Sequence, residues 1–258
     1  QSLFILIFSH FLHGGLVSVS IQQLSTYLNG LLRVQEITDY CPNGLQVEGR
    51  REVTHIVTGV TASQALVDAA IAQGADTLLV HHGYFWKGES QTITGMKKKR
   101  ISALLKNDIN LLAYHLPLDV HPEYGNNRQL AKLLNVHQVK AVSSVKPVGV
   151  LMEGELPSPI KGEDLKQLLA TQLSREILME CPQNKEITRI AWCTGGGQGF
   201  IEQAVEANVD AFITGEVSEQ TIHVAREMDI AFFAAGHHAT ERYGVKALGE
   251  HLSEHFDI

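Results

Sequence analysis

Residues that can bind a metal or move a proton follow four apolar segments of the sequence. Each segment has the length and the residue types of a buried strand. In open α/β sheets, ligands bind beyond the carboxyl ends of the strands, so we expect these side chains to lie where a ligand binds. The candidates are all imidazoles and carboxylates: His81, His82, His115, Asp119, Glu216, His237, His238 and Glu241.

The spacing of these residues favours two metal ions over one. His81 and His82 are adjacent, so in a strand they point to opposite faces. Just past a strand end they suit two ions lying side by side. His237 and Glu241 are four residues apart and share one face of a helix, which lets Glu241 bridge two ions. Imidazole and carboxylate ligands suit Zn, Mn, Fe, Ni or Co, and paired ions are a common hydrolytic arrangement.

Two of the candidates also suit proton transfer. We expect His115 or Glu216 to act as general acid or base, because both lie beside the ligands at strand ends. His115 and His238 have a second interpretation, as hydrogen-bond partners of the ligands.

Three further segments have both a functional and a structural interpretation. The Gly-rich turn CTGGGQGF at 193–200 offers backbone N–H groups to a phosphate. It lacks the Lys-Ser/Thr of a P-loop, so a tight turn is the simpler interpretation. The aromatics at 84–86 either wall the site and stack a planar ring, or pack a loop or a subunit contact. The basic run Lys97–Arg100 is predicted to be a solvated helix face.

Alternating strands and helices position these residues. The order β–α–β–α–β over 55–134 predicts a parallel sheet with helices on its faces. The sequence also contains an internal repeat, in which 57–82 parallels 193–216 and 101–115 parallels 222–236. In both copies an Asp precedes an apolar strand, at Asp76 and Asp210. We therefore predict an α/β fold with two similar lobes from an internal duplication, and a small inserted α+β segment.

The predicted domain boundaries follow from this repeat. They place a first lobe at 19–139, an inserted subdomain at 140–186 and a second lobe at 187–258. Residues 1–18 carry no charged side chain and are too short to span a bilayer. We expect them to be a leader or vector-derived segment outside the fold. The first helix is predicted to begin at a capping box, Ser20–Gln23.

Composition limits the class of protein. The chain has 258 residues, of which 44% are hydrophobic and 19% charged, and this excludes a disordered chain. A net charge of −7 gives no support for broad electrostatic binding of nucleic acid. No segment suits a membrane span. The cysteines form no metal-binding pair, which fits packing residues in a reduced cytoplasmic protein; they are Cys41, Cys181 and Cys193.

Long stretches of the chain resemble the YbgI, or Nif-three-like, family, whose members are often labelled GTP cyclohydrolase I type 2 homologues. The resemblance extends from about residue 19 to the C-terminus. The segments that carry it include DYCPNGLQVEG at 39–49, HHGYFWKGE at 81–89, YHLPLDVHPEYGNN at 114–127, TGEVSEQTIHVARE at 214–227 and AAGHHATERYG at 234–244.

This resemblance implies a dinuclear metal site and a toroidal homohexamer. Carried over position by position, the family's metal ligands fall on His81, His82, Asp119, His237 and Glu241. In that pattern Glu241 bridges the two ions. His82 and Asp119 complete one site, and His81 and His237 complete the other.

Two classes of function remain open at this point. The first is a metal-dependent, cyclohydrolase-like hydrolase that acts on a small heterocyclic or nucleotide-like substrate through a metal-activated water. The second is a non-catalytic hexameric scaffold or metal-handling protein, for which the resemblance suggests a link to DNA repair. We favour the enzyme, because five protein ligands shared between two ions leave coordination positions for water.

Overall fold

The described chain forms two compact units in a computed structural model, which describes residues 6–7 and 18–258. One unit comprises the described residues up to Leu118 together with Val245–Ile258, and the other is Asp119–Gly244. The sequence predicts boundaries after 139 and after 186, so the observed division differs. The C-terminal segment packs with the first unit because its apolar side chains join that unit's core, through Val245, Leu248 and Leu252.

Seven strands belong to the first unit. They are β1 (Leu6–Ile7), β2 (Val19–Ser20), β3 (Gly44–Val47), β4 (Glu52–Val53), β5 (Ile56–Thr61), β6 (Thr77–His82) and β7 (Asn110–Ala113). Five of them form one sheet in the order β1-β5-β6-β7-β3. The central strands β5, β6 and β7 are parallel, and the edge strands β1 and β3 are antiparallel to their neighbours. Strands β2 and β4 pair separately.

The helices of the first unit begin where the sequence supplies caps. Ser20 caps the first helix in the predicted capping box with Gln23, and Ser63 accepts a hydrogen bond from Leu66 N–H at the start of the second. The helices are α1 (Ile21–Leu31), α2 (Gln64–Ala72) and α3 (Gly95–Lys106), with the short α4 (Leu116–Asp119) at the end of the unit; the last helix of the chain is α10 (Arg242–Phe256).

Parts of the N-terminal segment lie against the first unit. We predict residues 1–18 to lie outside the fold, yet β1 pairs antiparallel with β5, with Leu6 opposite Thr58 and Ile7 opposite Val57. Ser18 also donates a hydrogen bond to Glu52 over 3.1 Å. These residues therefore contact the first unit, and 1–5 and 8–17 lie outside the described residues.

Six strands form the single sheet of the second unit. They are β8 (His137–Ala141), β9 (Met152–Lys161), β10 (Leu178–Glu180), β11 (Glu186–Cys193), β12 (Ala211–Thr214) and β13 (Ala231–Ala234). Their order is β10-β13-β12-β11-β9-β8, with β11, β12 and β13 parallel. The helices are α5 (Asn126–Leu133), α6 (Gly162–Leu173), α7 (Ile201–Glu206), α8 (Glu219–Glu227) and α9 (His237–Thr240).

The segment 140–186, which the sequence predicts to be an inserted subdomain, is part of the second unit. Its strands β9 and β10 pair with β11 and β13, so they extend the sheet of that unit on both sides. Its helix α6 buries Leu165, Leu169 and Leu173 in the core of the same unit. The apolar residues of this segment, which suggest a separate core in the sequence, therefore belong to the core of the second unit.

The parallel strands of the two units are built alike. Oδ2 of Asp76 accepts hydrogen bonds from the backbone N–H groups of 54 and 55, at 2.8 and 3.0 Å. Oδ2 of Asp210 accepts from the N–H groups of 188 and 189, at 2.9 and 2.8 Å. Each Asp thus ties the entry of one strand to the start of the preceding strand; the duplication itself stays a prediction.

No helix among the described residues is long and apolar enough to cross a membrane.

Candidate metal centre

His81 and His82 are the last two residues of strand β6. We expect them just past the strand end, but β6 continues to His82 because His82 pairs with Thr61 of β5. His81 is fully buried and His82 half-buried. Their rings nevertheless lie close together, with centroids 4.6 Å apart. Adjacent positions in the strand therefore do not keep these two imidazoles apart.

A third imidazole, that of His115, joins them after β7. Its ring centroid lies 5.1 Å from that of His81 and 5.8 Å from that of His82. One ring nitrogen from each of the three residues lies within 4.8 Å of the others. Three imidazoles at this separation form a group that can hold a metal ion.

Each of these imidazoles is oriented through Nδ1. His81 Nδ1 donates to the carbonyl oxygen of Tyr114 over 2.9 Å, and His82 Nδ1 shares a hydrogen bond with Oγ1 of Thr61 over 3.0 Å. His115 Nδ1 donates to Oδ1 of Asp39 over 2.7 Å. Metal-binding histidines usually have their second nitrogen held in this way, and the pattern presents Nε2 as the ligand atom.

Asp39 is buried, with its side chain 2% exposed. Burial raises the pKa of its carboxyl, but the hydrogen bond and the charge of His115 and the hydrogen bonds from Asn43 and Tyr40 outweigh burial and leave the pKa lowered. Oδ2 also accepts from Leu116 N–H over 2.8 Å. Asp39 therefore stays ionised and holds both the ring and the backbone at the end of β7.

Cys41 lies beside this pair, since its sulfur falls within 4.8 Å of a donor atom of Asp39 and of His115. Burial, and then the charge of Asp39, raises the pKa of its thiol to about 12. Burial likewise raises the pKa of Cys193. Neither thiol is a ready nucleophile at neutral pH, which agrees with the prediction that the cysteines pack. All three are free.

The three aromatics after the histidines divide between packing and the site. Tyr84 is buried and donates its hydroxyl to the carbonyl oxygen of Ala62 over 2.9 Å. Lys97 lies over the ring of Phe85, at 4.8 Å from Nζ to the centroid. Only Trp86 reaches the imidazoles, meeting His115 edge to face at 4.9 Å. Of the three aromatics that could wall the site, only Trp86 therefore lies beside the imidazoles.

The basic run 97–100 opens α3 and is mostly a solvated face, as predicted. Lys98 and Lys99 are exposed, whereas Lys97 is half-buried under its contact with Phe85.

Two buried carboxylates form the centre of the candidate site in the second unit. Asp119 is 6% exposed and Glu241 is 2% exposed, and an oxygen of one lies within 4.8 Å of an oxygen of the other. Asn126 Nδ2 donates to Oδ1 of Asp119 over 2.8 Å, and Thr194 Oγ1 approaches the same oxygen at 3.5 Å. Two buried like charges at this distance repel each other, so the pair suits a bound cation.

His237 links this pair to a third carboxylate. Its Nε2 lies 3.3 Å from Oε2 of Glu241, four residues on, as the spacing predicts. Its Nδ1 donates to Oε1 of Glu216 over 2.6 Å. The hydrogen bond with Glu241 raises the pKa of His237 to about 9; burial opposes this shift, and Glu216 adds to it. The pKa of His238 is lowered, first by partial burial of its ring and then by the charge of Arg242.

The Gly-rich turn after β11 makes room for these side chains. A Cβ at Gly195 would lie 2.1 Å from Oε1 of Glu241 and 3.1 Å from Nε2 of His237, and its φ is +69°. Gly195 N–H donates to Oγ1 of Thr240, and Gly197 N–H donates to Oγ1 of Thr214. Since threonines take these two amides, the turn serves packing, which agrees with the tight-turn interpretation over phosphate binding.

Within each unit, several of the residues predicted as ligands or as acid and base come together. His81, His82 and His115 converge in the first unit, and Asp119, Glu216, His237 and Glu241 converge in the second. The residues that orient them were not predicted from the sequence, although all five lie in segments already singled out by motif or repeat. These are Asp39, Thr61, Asn126, Thr194 and Gly195.

The donor sets of both units fit a borderline divalent metal. Together they offer imidazole nitrogens and carboxylate oxygens, which suit zinc, manganese, iron, nickel or cobalt. Nearly every donor carries an oriented partner, as in established metal sites.

Known proteins resemble this chain along nearly its whole length. A "GTP cyclohydrolase 1 type 2 homolog" of Yersinia pestis is 58% identical over 238 residues, covering 92% of this chain and 94% of that protein. A solved structure titled "Structural genomics, protein ybgI, unknown function" has a TM-score of 0.89 and 52% identity, covering 93% of this chain and 96% of that one. The crystal structure of TTHA1606 from Thermus thermophilus has a TM-score of 0.85 and 33% identity, with 93% and 95% covered.

These likenesses agree with the resemblance noted in the sequence and with the mixed α/β architecture. Residues 19–258 also match the family described as Duf34/NIF3 (NGG1p interacting factor 3). The match and the identities leave one conclusion: this chain belongs to the Duf34/NIF3 family.

Proposed function

We propose that this protein binds two divalent metal ions and uses them for hydrolysis. The proposed ligands are His81, His82, Asp119, His237 and Glu241, with Glu241 shared by both ions. One observation carries the proposal, namely the buried carboxylate pair of Asp119 and Glu241. Two buried carboxylates this close together offer their oxygens to one divalent ion, and such an ion would offset their mutual repulsion.

The chain's own residues provide orientation and proton transfer around that centre. Bound paired metals supply Lewis acidity and an acidified water. His115 exchanges a proton through Nε2, because its Nδ1 is committed to Asp39. Glu216 is bound to Nδ1 of His237, so it orients this ligand and accepts its proton. The two residues predicted as acid or base thus take different tasks.

The proposed substrate is a small molecule with a planar heterocycle, nucleotide-like in kind. Trp86 supports this class, because its indole lies beside His115 and 6.0 Å from the ring of His82, where it can stack on a flat ring. The name borne by relatives, GTP cyclohydrolase 1 type 2 homolog, points to the same class. A net charge of −7 argues against a large polyanion as substrate.

The proposed assembly is a homohexameric ring, as the family resemblance implies. The segment 140–186 supports it as the element of contact. It supplies the edge strand β10 and leaves large apolar side chains on the surface, with Val148 52% and Leu178 47% exposed. Light scattering at micromolar protein should give about six times the mass of one chain. A monomer at that concentration would remove the assembly from the proposal.

The activity is tested by a metal-loaded screen across nucleotides, pterins, phosphoesters and cyclic amides. The wild type is run beside His82→Ala, Glu241→Gln and the control Glu219→Gln, whose side chain is 93% exposed. Turnover that survives in the control and vanishes in both ligand variants supports a metal-dependent hydrolase. If no compound turns over and the ligand variants lose only metal or assembly, a scaffold or metal-handling role replaces the enzyme.

A further inference from the structure

A cavity of about 290 Å³ lies within the second unit. Its wall comes from residues 119–128, from strand β8 and from residues 148–152. Of the proposed metal ligands, Asp119 lines it, and the rest of its described wall belongs to no site assigned so far. Cavities that bind small ligands measure about 300–1,000 Å³, so this one can hold a small molecule or one end of a larger one.

Hydrogen bonds from Asn127 fix one wall of this cavity. Asn127 is buried, and its Nδ2 donates to the carbonyl oxygens of Gly149 and Val150 over 2.9 and 3.0 Å. Its Oδ1 accepts from Thr194 N–H over 3.0 Å. Gly149 has a φ of +99°, and a Cβ there would lie 3.2 Å from Cβ of Val120. The cavity is therefore already formed before anything binds in it.

Arg128 brings a positive charge without a counter-ion to this cavity. It is half-buried, and no hydrogen bond or ion pair joins its guanidinium to another residue within 18–258. It lies in the first turn of α5, where the positive end of the helix makes a cation unfavourable. Lys140 lines the same cavity, but its Nζ is paired with Glu153 over 3.2 Å. The fork of N–H donors on Arg128 is therefore available to an anion, and it fits phosphate or carboxylate oxygens.

The remaining wall suits the organic part of such an anion. Val139, Val148 and Met152 are apolar lining residues. His121 also lines the cavity, and its Nδ1 accepts from the backbone N–H groups of residues 123 and 124, over 3.2 and 3.0 Å. The other ring nitrogen of a neutral imidazole then carries the proton, so this ring presents no lone pair that would repel an anion.

We propose that this cavity binds the phosphate group of a small organic phosphate, with Arg128 as the residue that selects it. A phosphate carries more charge and more acceptor oxygens than a carboxylate, which favours it where Lys140 lies beside Arg128. The role of the site rests on the proposed function. Because Asp119 lines the cavity, a phosphate held there keeps the substrate beside the proposed ions. The anion site itself does not require them.

The test measures the binding of phenylphosphonate, a stable phosphate-like anion with an apolar ring, by isothermal titration calorimetry. Zinc-loaded wild type is compared with Arg128→Ala and with Arg128→Gln, which removes the charge and keeps a long polar side chain. The control is Lys132→Ala, an exposed cation on the same helix. We expect binding about 10–100-fold weaker in both Arg128 variants and a change of less than about twofold in the control.

Two further probes identify the group that is bound. Phenol lacks the anion and should bind at least about 10-fold more weakly than phenylphosphonate, and benzoate should also bind more weakly. Circular dichroism and light scattering of each variant check that its fold and assembly are those of the wild type. Equal affinities for phenylphosphonate in the wild type and in a folded Arg128 variant would overturn the inference, as would tighter binding of benzoate.

Asp119→Asn, stripped of metal with a chelator, separates this inference from the proposed function. The substitution removes the carboxylate charge at the cavity wall, so no ion is needed to offset it. Phenylphosphonate should still bind, and adding Arg128→Ala should weaken it about 10–100-fold. This result beside a reloaded wild type without metal supports the anion site and removes the two-metal proposal. No binding in the folded, stripped variant overturns the anion site and leaves the two-metal proposal standing.

Discussion

Nδ1 of His115 donates a hydrogen bond to Oδ1 of Asp39 over 2.7 Å, although the two residues are 76 positions apart in the chain. This bond ties the loop before β3 to the residue that follows β7. Because Asp39 also accepts from Leu116 N–H, it fixes both the imidazole and the start of α4. The geometry of the three-imidazole group therefore depends on a residue outside the strands that carry it.

Replacing this carboxylate should change the pH dependence of stability. The pKa of Asp39 is lowered in the folded protein from its usual 3.8. The ionised carboxylate therefore stabilises the fold above about pH 3.8, and this stabilisation is lost as the pH falls through the pKa of the folded state. Asp39→Asn should lower the free energy of unfolding by about 1.5–3 kcal/mol at neutral pH. The difference in the free energy of unfolding between Asp39→Asn and the wild type should become smaller at about pH 3, as measured by urea unfolding.

The matched control is Glu36→Gln, three residues earlier, whose side chain is 60% exposed. It should change stability by less than about 0.5 kcal/mol at either pH. A gap for Asp39→Asn that is independent of pH would show that its effect is not electrostatic.

A methyl group at Gly195 should disrupt the carboxylate centre. Its Cβ would fall 2.1 Å from Oε1 of Glu241, so Gly195→Ala must displace that carboxylate. We expect most of the metal content to be lost, as measured by atomic absorption. Gly74→Ala separates the clash from backbone strain, because Gly74 has a similar φ of +67° with nothing within 4 Å of a Cβ.

Gly74→Ala should lower stability by about 1–2 kcal/mol and leave metal content unchanged. Equal metal loss in both variants would assign the effect to backbone strain.

Removing the partner of His237 should weaken metal binding without abolishing it. Glu216 accepts from Nδ1 of His237 over 2.6 Å, and loss of such a partner typically lowers metal affinity about 10–100-fold. Glu216→Gln should show this decrease in a competition titration with a chelator. Glu219→Gln is exposed at the start of α8 and should bind metal like the wild type. An unchanged affinity in Glu216→Gln would remove the orienting role.

The two equivalent aspartates should have equal effects on stability. Asp76 and Asp210 each accept two backbone N–H groups at the corresponding strand entry, so removal of either leaves buried donors unpaired. Asp76→Ala and Asp210→Ala should each cost about 1–3 kcal/mol in urea unfolding. Asp68→Ala, at an exposed helix position, should cost less than about 0.5 kcal/mol. A large effect from only one aspartate would argue against equivalent units.

Much of this architecture follows from the sequence because the signals are local. Strong alternation of apolar strands and capped helices predicts β5, β6 and β7 with their helices, and Ser20 begins the first helix as predicted. Because parallel strands end at the same edge of a sheet, the candidate residues that follow them are predicted to lie at that edge.

The features that the sequence does not predict depend on contacts between segments far apart in the chain. The segment 140–186 has a different texture, and only its pairing with β11 and β13 reveals that it belongs to the second sheet. Similarly, His82 lies in β6 because Thr61 pairs with it, which periodicity does not indicate. Asp39 precedes its partner by 76 residues, and no local spacing connects them.

If the five proposed ligands hold two divalent ions, the purified protein should carry both of them, and its metal content can be measured. Protein stripped with a chelator, reloaded with zinc or manganese and desalted is analysed for metal per chain, beside Glu241→Gln and the control Glu219→Gln. We expect about two ions per chain in the wild type and the control, and fewer than one in Glu241→Gln because the shared ligand is lost. Less than one ion per chain in the reloaded wild type, or an unchanged content in Glu241→Gln, would contradict it.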